Sequence, residues 1–272
     1  MTHPAFITVR RGTAPLVVSL PHTGTDIPDD IAPDLVSPWL ARKDTDWWIE
    51  KLYDFAADLG ASVVRTSISR TAIDVNRDPS GVSLYPGQAT TELCPTTTFD
   101  GEPLYLDGRG SDVAARRAAY FDPYHAALSA EIEHARAIHG TIALYDCHSI
   151  RSVIPRLFDG TLPHLNLGTN SGASCAPALQ GEIEAIGDAS AFSRVSNGRF
   201  KGGWITRHYG KPERGVHAVQ MELACRAYMH EPLGPVDEAS WPSAYDPAYA
   251  APCRAVLTRI LQACIGFARA HA

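Results

Sequence analysis

The sequence predicts an α/β fold, a mainly parallel sheet with helices on both faces. Three observations carry this. Residues 15–20 (PLVVSL), 141–146 (TIALYD) and 216–223 (VHAVQMEL) are near-continuous apolar runs of strand length, the pattern of strands buried on both sides. Stretches with helical spacing separate them, and strands alternating with helices favour parallel pairing. The chain has 272 residues, 45% apolar and 20% charged, which is ample for one large core.

Taken in order, the run at 15–20 is a strand that Pro21 stops. Residues 44–59 carry Trp48, Ile49, Leu52, Tyr53, Ala56 and Leu59 at helical spacing, with Asp44 as a candidate cap and Gly60 as a stop. Residues 61–66 form a second strand, and 72–75 are a candidate third. From Asn76 to about Tyr105 the chain is rich in Gly, Pro and Thr without periodicity, and a loop of that length in a compact domain is usually functional or disordered. Residues 113–139 read as a helix that Pro123 can break, 178–187 as a helix and 252–271 as a closing amphipathic helix. No repeat or low-complexity linker divides the chain, so a single domain spanning 1–272 is expected.

The net charge of -6, without a basic tail, argues against nucleic acid or a membrane surface as partner, while a locally positive pocket for a small anion stays open. Residues 1–15 have no apolar signal-like core, and no apolar run approaches the roughly 20 residues of a membrane helix. The six cysteines are scattered without a CxxC, which fits reduced thiols and a cytoplasmic location.

The chemistry gathers at strand ends, where open α/β sheets hold ligands. The first strand runs into His22, and the strand at 141 runs into Asp146, Cys147 and His148. Residues two apart on a strand share a face, so Asp146 and His148 can point together while Cys147 points away. Each imidazole alone is better explained as a hydrogen-bonded turn residue; the pair, at equivalent strand ends, favours a metal. Two His and one carboxylate, with a position left for water, is the hydrolytic zinc pattern. Asp44 and Asp46 compete for the acidic place. The capping argument favours Asp46 as ligand and Asp44 as cap, with Asp26 as a weaker candidate. Arg70, Asn76 and Arg77 at the start of the long loop can hold carboxylates; a surface salt-bridge patch with Asp74 and Asp78 explains them as well. Residues 197–210 (NGRFKGGWITRHYG) mix glycines, Gly203 among them, with Arg207 and other basic groups, so the backbone can approach a ligand closely. Glu222 stands in an apolar strand, where a carboxylate is costly unless paired, metal-linked or catalytic, and it is the candidate general base. No GxSxG or strand-linked GxGxxG is present.

These stretches resemble the N-formylglutamate amidohydrolase family, and within it the histidine-utilisation deformylase branch. The matching strings are SLPHTG at 19–24, DTDWWIEKLYDFAADLGA at 44–61, SRTAIDVNR at 69–77 and ATTELCPTTTFDGEPLY at 89–105. They continue with DCHSIRSVIPRLFDG at 146–160, LNLGTNSGASC at 165–175, NGRFKGGWITRHYG at 197–210 and VHAVQMELA at 216–224, nearly the whole chain in order. The family is distantly similar to zinc carboxypeptidases and aspartoacylases. That likeness implies a three-layer α/β/α sandwich of zinc-carboxypeptidase type and one divalent metal, zinc foremost, with iron, cobalt or manganese as other fits. It implies His22 and His148 as metal ligands, Glu222 as base, Asn76 and Arg77 as a carboxylate-binding pair, and Arg70 as the group that polarises the scissile carbonyl. The peptidase pattern His-x-x-Glu is absent, since Thr25 stands three residues after His22, so the acidic ligand comes from elsewhere and Asp46 is the choice.

The implied reaction is hydrolysis of N-formyl-L-glutamate to L-glutamate and formate in histidine degradation. Arg77, Arg70 and the loop around Arg207 would hold the two carboxylates of this small anionic substrate. Two other readings stay open: a related N-acyl amino acid amidohydrolase or carboxypeptidase-like enzyme, and a non-catalytic amino-acid-binding protein. The oligomeric state is not legible.

Overall fold

The computed structural model describes residues 3–84, 86–232 and 234–272. The elements, in chain order, are β1 (Ile7–Arg10), β2 (Leu16–Leu20), α1 (Ile49–Leu52), β3 (Ser62–Thr66), α2 (Val113–Arg116), α3 (Asp122–His139), β4 (Ile142–Ile150), β5 (Leu165–Gly168), α4 (Pro177–Asp188), β6 (Arg194–Ser196), α5 (Trp204–Tyr209), β7 (Val216–Ala224) and α6 (Pro247–Ala270). Seven strands form one sheet in the order β1-β3-β2-β4-β7-β5-β6. The central strands β3, β2, β4 and β7 are mutually parallel, β1 and β5 join antiparallel, and β6 runs parallel to β5. The α/β class and the mainly parallel mixed sheet are as the sequence predicts.

Strand alternation sorts the core into two layers. Leu16, Val18 and Leu20 of β2, Ala143, Tyr145 and Cys147 of β4, and Val219, Met221 and Leu223 of β7 face a cluster built with α4 and α6. Val17, Ile142, Leu144, Val216 and Ala218 face the opposite cluster, built with α3 and Ile205 of α5. The same two-residue period puts Ser19, Asp146, His148, Gln220 and Glu222 on the α3 side, at the carboxyl end of the sheet. Chain order reverses direction at β2, with β3 on one side and β4 on the other, which is the switch point where such sheets open a crevice.

Register explains why the chemistry collects there. β2 pairs with β4 up to Ser19 opposite Asp146, whereas β4 and β7 stay paired as far as Ile150 opposite Ala224. The longer pair overhangs β2, and the overhang carries His148 directly opposite Glu222. The strand expected to end at Asp146 therefore continues, and His148 lies within it rather than beyond it. At the end of β2, Gly24 lies against the backbone of Ser67 and Ile68, where a Cβ would come within 2.4 Å. Only glycine allows that approach.

Other expectations need correction. The periodic segment 44–59 is not one helix: Trp48 has φ 62°, a left-handed conformation, so α1 starts only after it, and Tyr53 (φ -100°, ψ 14°) then separates α1 from a 3-10 turn at Asp54–Ala57. Residues 72–75 are buried but form no strand, since Ala72 and Asp74 donate to Ser69 and Leu93 instead. The helix over 113–139 is continuous through Pro123, with a π-helical turn at Arg117–Phe121 just before it. The closing helix begins at Pro247 and contains Pro252 within its second turn. All six cysteines are buried and free. Among the described residues, no helix is long and apolar enough to cross a membrane.

Candidate active site

His22 follows β2, and its carbonyl accepts a hydrogen bond from the Asp46 amide at 3.0 Å. This bond draws the start of segment 44–59 onto the sheet end and explains why no regular helix begins at Asp44. Asp46 and the two imidazoles then meet in the interior. The Asp46 Oδ2 atom is 3.0 Å from His148 Nδ1 and 3.8 Å from His22 Nδ1, and the two rings lie 4.8 Å apart. One ligand atom from each of the three residues falls within 4.8 Å of the others, and all three residues are buried.

Each imidazole is held from behind by a carboxylate. His22 Nε2 is 2.7 Å from Asp74 Oδ1, and His148 Nε2 is 2.9 Å from Asp146 Oδ2. Both rings thus donate through Nε2 and turn Nδ1 inward, the arrangement by which carboxylates orient metal-binding histidines. His22 Nδ1 and Asp46 Oδ1 are buried without a hydrogen-bond partner. Orphaned atoms of that kind are costly in a folded protein; Asp46 Oδ1 has Arg70 Nη1 at 3.6 Å, and a cation beside Asp46 Oδ2 would satisfy His22 Nδ1. The donor set fits a divalent metal: two ring nitrogens, that of His148 once a cation displaces the proton it shares with Asp46, and a carboxylate oxygen match the three-ligand pattern of hydrolytic zinc centres.

The electrostatics follow from burial and neighbours. Burial raises the Asp74 carboxyl, but Arg77, His22 and Arg70 outweigh it and hold it well below the usual range. His22 is pushed down by burial and by Arg70, against the pull of Asp74 and Asp46. Burial also opposes protonation of His148, yet Asp146 and Asp46 raise it well above the ordinary value. The two rings diverge because Arg70 stands beside the His22 side of the cluster. Its Nη2 is 2.6 Å from Asp74 and its Nη1 3.6 Å from Asp46, and the guanidinium stacks on Phe99 with Cζ 4.7 Å from the ring centre.

A cleft enclosing about 550 Å³ of empty space, open solvent included, opens above this group. Its charged lining consists of Arg70, Arg77, Arg199 and Glu222, beside His22 and His148. Three guanidiniums against one carboxylate make the cleft positive in a chain of net charge -6. Glu222 is pushed up to about 7, chiefly by burial, with Asp46 and Asp146 adding to the rise and His148 and Arg70 opposing it. Its Oε2 accepts from Gln220 Nε2 at 3.0 Å, and Gln220 Oε1 in turn accepts from Gly203 N.

The remaining sequence candidates are placed as follows. Arg77 lines the cleft and donates to the Thr91 carbonyl and hydroxyl, both at 3.1 Å. Asn76 also lines it, but its amide is engaged at both ends: Oδ1 accepts from Ile205 N at 2.8 Å, and Nδ2 lies 3.2 Å from Asp146 Oδ2. Gly203 packs so closely on Asn76 that a Cβ would come within 2.4 Å of its amide. Arg207 is not among the residues lining this cleft, and its Nε donates to the Gly202 carbonyl at 2.8 Å. Asp44 is no helix cap; its Oδ2 accepts from Phe99 N and so ties down the long loop. Asp74, Gln220, Phe99 and Arg199 are residues that sequence reasoning did not single out for the site. Asp74 had a legible signal, since it is a carboxylate inside the buried-looking run 72–75.

A model of the N-formylglutamate amidohydrolase family matches residues 14–229. The chain is 45% identical to an N-formylglutamate deformylase of Pseudomonas aeruginosa over 267 residues, 97% of each chain. It is 44% identical to one of Pseudomonas putida over 266 residues, 96% of each. Its fold is similar to the crystal structure of an N-formylglutamate amidohydrolase from Ralstonia eutropha, with a TM-score of 0.81, 22% identity, and coverage of 99% of this chain and 100% of that one.

Proposed function

The chain belongs to the N-formylglutamate amidohydrolase family, and from that premise we propose that it hydrolyses N-formyl-L-glutamate to L-glutamate and formate, the deformylation step of histidine degradation, in the cytoplasm. The observation that carries this reading is the buried His22–Asp46–His148 group at the foot of a cleft lined by three arginines and Glu222. A hydrolytic centre and a site for a small dianion share one cavity.

His22, Asp46 and His148 would hold one divalent cation, zinc before iron, cobalt or manganese by its match to this ligand set. Such a cation supplies Lewis acidity to a carbonyl and makes water more acidic. The chain's own residues do the rest. Glu222, ionised at the start, takes a proton from the attacking water as its oxygen bonds to the formyl carbon. The same carboxyl then delivers that proton to the amide nitrogen as the C–N bond breaks, so formic acid and the amine of glutamate leave, and the acid gives up its remaining proton to become formate. Arg70, fixed by Asp74 and Phe99, directs positive charge at the carbonyl oxygen, where charge develops. Arg77 takes a carboxylate, and Thr91 holds its fork in position. Asn76 acts through position, joining the Asp146 side of the cluster to α5. The formyl group is tiny, so binding energy has to come from the glutamate half.

The test is formate release from N-formylglutamate by the purified protein, with metal analysis of the same sample and with acetyl- and succinyl-glutamate as competitors. Formate release that follows metal content and favours the formyl compound is expected. Metal-free protein with full activity, or faster turnover of acetylglutamate, would overturn the reading.

A further inference from the structure

Three guanidiniums face the cleft, and the mechanism above assigns a task to Arg70 and Arg77. Arg70 is bound to Asp74 at 2.6 Å and Arg77 lies 3.6 Å from the same carboxylate, so both belong to the charge network behind His22. Arg199 also lines the cleft, and two of its contacts fix its direction. Its Nε donates to the Leu157 carbonyl at 2.8 Å and its Nη2 to the Ala89 carbonyl at 2.7 Å. Backbone carbonyls orient a guanidinium. Arg199 thereby joins the long loop after Asn76, the loop after β4 and the segment after β6 on one wall of the cleft.

That last segment is built to hold its shape. Asn197 takes φ 52°, and its Oδ1 accepts from both Thr169 N and Ser171 N. Asn170 N donates to the Lys201 carbonyl, and Gly168 lies against Gly202 so closely that a Cβ would come within 2.5 Å. A cation fixed this way on a cavity wall is prearranged for an anion.

We propose that Arg199 is a specificity-determining residue that receives the side-chain carboxylate of the substrate. This rests on the formylglutamate reading above. The two carboxylates of that substrate differ in distance from the reaction. One shares its carbon with the scissile nitrogen; the other is two methylenes further out. Arg77 stands beside Asp74, which touches His22, so it suits the near carboxylate. The anchors of Arg199, Leu157 and Ala89, lie on loops that contribute nothing to the His22–Asp46–His148 group, so Arg199 suits the far one.

The experiment compares N-formylglutamate with N-formylglutamine, which replaces only the far carboxylate by a neutral amide of similar shape. Wild type should prefer the acid, and Arg199→Gln should bring the ratio of the two kcat/KM values down by on the order of 10²-fold, mainly through KM. Arg199→Lys should restore part of the preference, since charge returns without the planar fork. Glutarate, an unreactive dicarboxylate, supplies a second readout: its calorimetric affinity should fall by a similar factor in Arg199→Gln. Equal losses on both substrates would make Arg199 a mere loop anchor and overturn the proposal, as would an unchanged ratio. If wild type releases formate from neither compound, the formylglutamate reading has failed. Glutarate binding that depends on Arg199 would then still support the anion site, and binding that is absent or independent of Arg199 would end it.

Discussion

His22 Nε2 lies 2.7 Å from Asp74 Oδ1, a contact across 52 residues of sequence, and it decides which ring nitrogen faces Asp46. With Nε2–H given to the carboxylate, Nδ1 is left as a lone-pair donor. Asp74 also accepts from Arg70 and from the Asn76 amide, so one buried carboxylate orients the proposed metal ligand His22, the proposed carbonyl-polarising Arg70 and the turn that carries Arg77. Asp74→Asn keeps the shape and removes the charge. Metal affinity should drop by about 10–100-fold, the usual effect of losing such a supporting carboxylate. Chelator competition measures this, and equal affinity in the variant would show that Asp74 does not control the His22 ring.

Asp46 and Asp44 are two residues apart and have separate tasks. Asp46 meets both imidazoles; Asp44 holds the Phe99 amide and sits near Arg151 at 3.8 Å. Asp46→Asn should lose metal, as should His22→Ala and His148→Ala. Asp44→Asn should retain metal and lower stability by about 1–3 kcal/mol, because a buried acceptor of a backbone N–H is altered. Metal content and urea midpoints of the Asp variants check this. Metal lost from the Asp44 variant and kept by the Asp46 variant would reverse the assignment.

The legible parts of this structure were those with local signals. The strands β2, β4 and β7 are apolar for most of their length, and alternation alone placed Asp146 and His148 on one face with Cys147 on the other. The short strands β1, β5 and β6 and the helix α5 were not read, because three to six residues at a sheet edge or beside a loop show no period. The apolar residues of 44–59 do face the core, as Ile49, Leu52, Tyr53 and Ala56 show. Tertiary demand on Asp46 prevented a single helix, and nothing local reports such a demand. Arg199 has the same character, since Leu157 and Ala89 lie far from it in the chain, and so has the His22 contact of Asp74.

His125 makes stability depend on acid. Its Nε2 donates to the Val75 carbonyl at 2.8 Å and its Nδ1 accepts from the Tyr209 hydroxyl at 3.0 Å, and burial pushes its pKa down to about 4. The folded protein therefore holds this ring neutral, whereas an unfolded chain protonates it near pH 6.5. Its neutral form costs nothing above pH 6.5; stability is lost progressively as pH falls from about 6.5 through 4, by up to about 3 kcal/mol. His125→Gln should flatten the dependence of the urea midpoint on pH between 7 and 4.5, at roughly constant slope in urea. Identical pH dependence in wild type and variant would remove His125 as the source.

Glu222 is the residue on which the proposed mechanism turns. It faces the cleft from β7 opposite His148, and burial has pushed it up to about 7, the range in which a carboxylate can both take and return a proton. Glu222→Gln keeps the volume and the contact with Gln220 but cannot accept a proton. Metal content should persist, because His22, Asp46 and His148 are untouched. KM should change little, because Arg77 and Arg199 are the groups proposed to hold the substrate. The turnover number should fall by on the order of 10²–10⁴, the usual worth of a positioned acid–base group. In wild type the rate should decline as pH falls and Glu222 protonates; that limb should be missing from the residual activity of the variant. If Glu222→Gln loses its metal, the carboxylate is itself a ligand and Asp146 becomes the candidate base. A variant with full metal and nearly full turnover would leave Glu222 a buried structural group and the reaction without its proton carrier.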